Sequence, residues 1–405
     1  MPNALIYSPE LDGHRQVHVF VMTHILQELG FNIFIAGNLQ KKITNTFYID
    51  KLKERPEITI INTDHYLHGG LNISPAEFLA LQSDCNTDLT IFAEADHHIP
   101  LFVSQIFNKK NKLKGKVIAT FMRPFFYYKK SSFLDKLRLI KHFPSRWNTD
   151  EALFYKFFLK RFSLLDTALT LDENLVNNNK LFRWLPDVFQ QFADKIVKQD
   201  ENSGQRIWIK KLNSFLDKNR GRFNILYFGT AQERRGYDTL LQLAEETDSC
   251  FIHCGLQDST IQYSINTEEI ISHLEKEGRY FHTNEFIEDP TTIEHFFKSV
   301  SHIVLPYKDF LGSSGVMLQA LEYGIPILAP DTAIIGYRIL KYNLGYIYDA
   351  SNISTLKSQF KIFKETDPST FEESIKAYME LQSTKQLKNA YINSFTDSKL
   401  LMTIP

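Results

Sequence analysis

Two short stretches in the second half of the chain combine residue types suited to holding an anion. In FGTAQERRGYDTLLQL an apolar run ends at Gly229, a polar turn carries Thr230, Arg234 and Arg235, and Gly236 permits a close turn before a helical pattern with Leu240, Leu241 and Leu243. In LPYKDFLGSSGVMLQALEYGIPILAP a run ends at Pro306, and Gly312, Ser313, Ser314, Gly315 and Val316 lead into a second helical pattern reaching Tyr323. The start of a helix offers unpaired N–H groups and a partial positive charge, and small residues there let a phosphate approach the backbone. A guanidinium adds forked, charge-assisted hydrogen bonds. Together they could seat a diphosphate and stabilise the charge that grows on it as it leaves a substrate. Taken singly, each stretch has a plainer reading: GSSG as an N-cap with a tight turn, and the two arginines as solvated charges.

These stretches need a scaffold that delivers strand ends and helix starts to one place. The first 40 residues read as a βαβ opening: ALIYS, the loop PELDGHRQ, a helix over 17–29, and then FNIFIAG. Apolar runs follow at ITIIN, LTIFA, KVIATF and TALTL, and after a polar stretch the rhythm restarts with FNILYFG, SCFIHCG, RYFHTNEF, HIVLPY and IPILAP. Runs buried on both faces and separated by helices predict parallel sheets covered by helices. The expected fold is α/β, with two Rossmann-like domains whose sheets face a central cleft. The expected boundaries are residues 1–190 and 191–385, with a tail over 386–405 that packs back on the first domain.

With 405 residues the chain suits two domains, and 43% hydrophobic residues supply two cores. Lys and Arg number 46 against 47 Asp and Glu, which removes the simplest electrostatic case for nucleic acid as a partner. Cys85, Cys250 and Cys254 are too few for a disulfide framework, and CFIHCG reads as a buried strand with core thiols rather than a metal site. The start MPNALIYSPE has neither a basic leader nor a long apolar run, so a cytoplasmic protein is expected.

The stretch FGTAQERRGYDTLL is similar to the strand, phosphate loop and helix of the group 1, or family 4-like, glycosyltransferases, which are retaining enzymes of GT-B fold. NEFIEDPTTIEHFFKSVSHIVLPY resembles their base-holding segment, and SSGVMLQALEYGIPILAP their nucleotide-binding helix. The resemblance spans roughly Phe223 to Asp349 and is weaker before it. It implies transfer of a sugar from a nucleotide-diphosphate sugar, which is a co-substrate rather than a cofactor, to a glycan, a lipid-linked acceptor or another glycoconjugate. It implies no metal in the site. Gly229, Thr230, Arg234, Arg235 and Gly312 to Val316 would hold the diphosphate, Gln319 the ribose, and the Phe286 or Ile287 backbone the base. The chain departs from the pattern at four places, one of them Met122, where the resemblance would often show a histidine. Leu311 and Gln319 stand where the family commonly has two glutamates, and Thr230 stands where many members have arginine. Two other readings of the same architecture are a nucleotide-sugar epimerase and a catalytically inactive binding subunit, the second motivated by Leu311 and Gln319.

In the first half, Gly13, His14 and Arg15 fall in the loop after the first strand, as candidates to approach donor phosphate or acceptor. ADHHIP places Asp96, His97 and His98 beyond LTIFA. His98 or His14 would reach the reacting sugar, and Asp96 is either functional there or a helix-start residue. Arg123 is a polar candidate by proximity after KVIATF. Between 125 and 162 nine basic residues stand against three acidic ones amid many aromatics. That stretch suits a peripheral contact with an anionic membrane, a packed helix with a solvated basic face, or a groove for an anionic polymer.

Overall fold

The computed structural model describes residues 1–11, 13–38, 47–63, 73–96, 98, 101–102, 104–105, 108–122, 165–178, 180–187, 193, 204–257, 263, 265–287 and 289–396. His97, Arg123 and the basic stretch 125–162 lie outside these residues, as do the side chain of His14 and most of the polar stretch before residue 204. The chain divides into two compact units, Met1–Lys198 with Gln382–Pro405, and Gln199–Leu381.

The first unit holds seven parallel strands: β1 (Asn3–Glu10), β2 (Asn32–Asn38), β3 (Ile58–Asn62), β4 (Leu89–Phe92), β5 (Lys116–Phe121), β6 (Thr167–Thr170) and β7 (Phe182–Trp184). They lie in the order β3-β2-β1-β4-β5-β6-β7. The order reverses direction between β1 and β4, the place where open parallel sheets form a crevice at their strand ends. Strands β1, β4 and β5 are buried almost throughout, which is why their sequences read as continuous apolar runs. Helices α1 (Gly13–Glu28), α2 (Phe47–Lys53), α3 (Pro75–Asp84) and α4 (Glu173–Asn178) belong to this unit. α3 begins with a capping box, Ser74 and Glu77 each bonding the other's backbone N–H.

Two departures from the sequence reading bear on the site. β1 continues to Glu10 and α1 starts at Gly13, so His14 and Arg15 lie in the first helical turn rather than in a loop. β7 was too short and too polar at Arg183 to stand out from its neighbours.

The second unit continues the parallel theme in two three-stranded sheets. β8 (Asn224–Phe228), β9 (Cys250–Cys254) and β10 (Tyr280–His282) run in the order β10-β9-β8. β11 (Ile303–Val304), β12 (Ile327–Pro330) and β13 (Gly345–Tyr348) run in the order β11-β12-β13, with β11 beside β8. The strand succession is therefore that of a Rossmann sheet, with the reversal between β8 and β11. Its helices are α5 (Ile207–Lys218), α6 (Tyr237–Glu246), α7 (Thr267–Lys276), α8 (Pro290–Lys298), α9 (Gly315–Glu322), α10 (Ala333–Tyr342), α11 (Ser354–Glu365) and α12 (Glu372–Leu381). They cover a single buried cluster that runs from Leu212 to Tyr378.

A last helix, α13 (Thr384–Thr396), packs in the first unit. Leu387, Tyr391 and Phe395 join the core face that α1 also covers. The buried Lys116 side chain donates to the carbonyls of Ser394 and Phe395, the negative end of α13. At the return into the first unit the buried Gln382 amide accepts from Asp187 N at 2.8 Å and donates to Glu173 at 3.3 Å. No helix among the described residues is long and apolar enough to cross a membrane.

Candidate functional site

The two stretches singled out in the sequence meet at the ends of β8 and β11, where the strand order of the second unit reverses. Gly236 joins them. At φ +71° it takes the left-handed conformation that favours glycine, and a Cβ there would lie 2.4 Å from the Pro306 carbonyl oxygen. The backbone of the second loop continues the contact, with Lys308 N donating to the Arg234 carbonyl at 2.9 Å. Lys308 Nζ then bonds the buried Asp238 carboxylate at 2.8 Å, tying the second loop to the first turn of α6.

Arg235 sits within this junction. A Cβ on Gly229, whose φ is +106°, would lie 2.8 Å from Arg235 Nη1, so the guanidinium rests against the bare glycine. Among the described residues it forms no ion pair, although it is half-buried. Its charge is felt by the Tyr227 and Tyr307 hydroxyls: burial pushes both phenol pKa values up, and Arg235 acts in the opposite direction on each. Arg234 is exposed, with Nε donating to Gln232 at 3.0 Å.

The loop under Arg235 is held from below. Tyr227 Oη donates to the Thr230 carbonyl at 2.9 Å and accepts from Gln232 N at 3.0 Å. His253 Nε2 lies 3.0 Å from the Gly229 carbonyl, and His282 Nε2 lies 3.0 Å from the Gly255 carbonyl. A carbonyl only accepts, so each of these nitrogens carries the proton. The two rings stack at 4.3 Å between centroids. Burial, with the neighbouring His282, pushes His253 down to about 3, so the pair is neutral near pH 7.

The second loop is held as firmly. Ser314 caps α9, its Oγ accepting from Met317 N at 3.2 Å and lying 3.0 Å from Tyr307 Oη. Ser313 Oγ accepts from Arg338 Nη1 at 2.6 Å. Gly312 is buried, Gly315 is exposed, and Val316 packs partly against the core. Gln319 lies one turn along α9 and is half-buried. Gly229, Thr230, Arg234, Arg235, Gly312 to Val316 and Gln319 thus come from two loop-and-helix units that share one junction.

The segment expected at the base is braced from the start of α5. Gln205 Nε2 donates to the Phe286 carbonyl at 2.8 Å, and its Oε1 accepts from Asp289 N at 3.0 Å. Trp208 Nε1 donates to Glu285. The Phe286 carbonyl is therefore already engaged, its ring is half exposed, and the Ile287 side chain is in the core.

In the first unit the geometry departs from the sequence expectations. Arg15 Nε donates to Glu94 and Nη1 to Glu10, so its charge is met by two largely buried carboxylates instead of being open to a phosphate. His98 is 1% exposed, with its ring 5.0 Å from Tyr7 and 5.4 Å from Phe92. It faces the aromatic core, which leaves no surface for a sugar to reach in this structure. Asp96 accepts from Met122 N at 2.8 Å and joins the segment after β4 to the end of β5. That contact braces the backbone after β5 and is not the helix-start role expected from the sequence. Gly13 opens α1.

The sequence reading missed Arg338, His253, Tyr227 and Gln205. A signal existed for Arg338: it lies three and four residues after Ile335 and Ile334, on the apolar stripe of α10. His253 carried one too, as a polar residue inside an otherwise apolar strand.

The architecture is that of the GT-B glycosyltransferases. Solved structures similar over nearly the whole chain include HepE of Anabaena in complex with UDP and glucose, with a TM-score of 0.64, 10% identity, and 98% of this chain and 100% of that one covered. WaaG, a glycosyltransferase involved in lipopolysaccharide biosynthesis, gives a TM-score of 0.60 at 12% identity, with 98% and 100% covered. The catalytic domain of starch synthase IV from Arabidopsis thaliana, bound to ADP and acarbose, gives 0.59 at 12% identity, with 98% and 99% covered. No protein-family model matches the sequence, and no curated protein matches it significantly.

Proposed function

We propose that the protein is a glycosyltransferase that binds a nucleotide-diphosphate sugar in its second unit and passes the sugar to a glycan, lipid-linked or other glycoconjugate acceptor. One observation carries the reading. A half-buried Arg235 with no ion-pair partner among the described residues stands beside a bare glycine, at the junction with a serine-capped helix start. Such a cation, together with the α9 amides, favours an anion and gains strength as charge accumulates on it. The complexes of HepE with UDP and of starch synthase IV with ADP support a nucleoside diphosphate as that anion.

In the reaction an acceptor oxygen forms a bond to the anomeric carbon, and the bond from that carbon to the diphosphate breaks. The electron pair leaves on the nucleoside diphosphate, and the acceptor proton passes to a base or to water. Arg235 and the amides at Gly315 and Val316 stabilise the leaving group. Gln319 would bond a ribose hydroxyl through its amide. We assign retention of anomeric configuration and metal-independent chemistry on the resemblance to the retaining family, and a cytoplasmic location on the three cysteines, which are free and buried.

The experiment is calorimetric titration with UDP, GDP and ADP, followed by donor turnover with and without candidate acceptors. Binding of one diphosphate, lost in Arg235→Ala, supports the seat. Conversion of a donor sugar to its epimer without acceptor would replace transfer by epimerisation. Tight binding without turnover on any acceptor would favour an inactive binding subunit, the reading that Leu311 and Gln319 motivate.

A further inference from the structure

We infer that Arg338 is a positioning residue for the diphosphate seat, acting on the ligand through the hydroxyl of Ser313. The inference rests on the nucleotide-binding reading above and adds a second cation to it. Arg338 heads the fully buried side chains of the described residues by volume and lies at 0% exposure on α10. Its neighbours on that helix face, Ile334, Ile335 and Ile339, are core residues. A guanidinium stays protonated even when buried, so this position places a permanent charge inside the second unit. Burying it is costly unless it does something that a leucine could not.

One of its partners, Ser313, bears on the seat. Arginine has donors only, so in the 2.6 Å contact between Arg338 Nη1 and Ser313 Oγ the serine oxygen must accept. The Ser313 hydrogen is left to point elsewhere, and Ser313 is half-exposed in the loop ahead of α9. A hydroxyl that accepts from a cation is polarised and donates more strongly, because chains of hydrogen bonds reinforce one another in a low-dielectric setting. Ser314, next in sequence, is used differently: its oxygen caps α9 and meets Tyr307. The two serines thus divide the work, Ser314 fixing the helix start and Ser313 presenting a polarised O–H from the same turn.

The placement of α10 keeps this geometry tight. It opens at Ala333 with φ +51°, and Gly336 lies so close to Asp331 that a Cβ there would approach its carbonyl carbon to 2.5 Å. The helix therefore cannot slide along the end of β12 without a clash.

The test compares diphosphates with monophosphates in calorimetry, using UDP, GDP and ADP against UMP, GMP and AMP. Ser313→Ala and Arg338→Met should each weaken the preferred diphosphate roughly 10- to 100-fold, the range for a hydrogen bond to a charged group, while shifting its monophosphate little. The double variant should bind no more weakly than either single one, and Ser313→Thr, which keeps the hydroxyl, should bind as the wild type does. Losses that add in the double variant, or a Ser313→Ala protein with wild-type diphosphate affinity, would overturn the inference. If Arg338→Met does not fold, the Ser313→Ala and Ser313→Thr pair decides alone, since the serine is outside the core. A wild-type protein that binds none of the diphosphates defeats the seat itself. Binding that is lost in Arg235→Ala but intact in Ser313→Ala defeats only the role of Arg338 and Ser313.

Discussion

Arg15 and Arg235 occupy corresponding places in the two units, each following the first and central strand of its sheet, yet their surroundings differ. Arg15 is clasped by Glu10 and Glu94, both largely buried, and its charge is spent on holding α1 to the ends of β1 and β4. Arg235 leans on Gly229 with two tyrosine hydroxyls in electrostatic reach and, among the described residues, no carboxylate bonded to it. The lesson is that a basic residue after a βα strand is open to an anion only where the fold withholds a carboxylate. Neighbouring acids far away in sequence, such as Glu94, decide the matter.

The widest expected gap is in stability. Arg15→Met leaves two buried carboxylates facing each other and should cost about 3–5 kcal/mol in urea unfolding, with part of the loss recovered in the Arg15→Met, Glu94→Gln double variant. Arg235→Ala breaks no such network, so its melting temperature should stay near that of the wild type. A large loss of stability in Arg235→Ala would erase the contrast between the two arginines.

The second effect is on the reaction. Arg235→Ala should raise the barrier for donor turnover by about 2–4 kcal/mol, read as kcat/KM with the donor varied. Arg15 variants that remain folded should move it far less.

Below these lies a pH effect on the support of the Arg235 loop. His253 is held at about 3, against about 6.5 for an ordinary histidine, so above pH 6.5 it is neutral whether the chain is folded or not. As the pH falls below 6.5 the unfolded chain takes up a proton that the folded one refuses, and stability drops until the pH nears 3. Between pH 8 and pH 5 the expected loss from this residue is about 2 kcal/mol. Chemical unfolding across that range should show a shallower slope in His253→Gln. His24, His282 and His302, all lowered chiefly by burial, should leave part of the slope in place.

The smallest effect concerns a third cation, Lys116, whose partners are the carbonyls at the end of α13. Lys116→Met should lower global stability by about 1 kcal/mol and speed amide exchange in α13, without changing diphosphate affinity. A change in affinity would mean that the α13 anchor is not independent of the seat.

Most strands were legible in the sequence, because buried parallel strands such as KVIATF and FNILYFG are short apolar runs bounded by turn residues. β7 was not, since three residues around an exposed Arg183 carry no pattern. The start of α1 was misplaced by several residues, as GHRQ has no apolar periodicity and only its docking on the sheet makes it helical. In the second unit, glycines, serines and arginines at strand ends marked two loops that the fold brings to one junction, because turns and helix starts suited to an anion use those residue types in that local order. In the first unit the same kind of reasoning failed for His98 and Arg15, whose partners Tyr7, Phe92, Glu10 and Glu94 are brought in by other strands.

The sequence by itself determined the α/β rhythm, the restart of that rhythm in the second half, and the two anion-suited turns, because each is written in residues near one another along the chain. Tertiary structure alone decided that Gly236 abuts Pro306, that Arg15 is met by two carboxylates while Arg235 meets none among the described residues, and that Arg338 reaches Ser313 from a later helix. Charge pairing and close packing depend on distances in space, and residues that are remote along the chain set those distances.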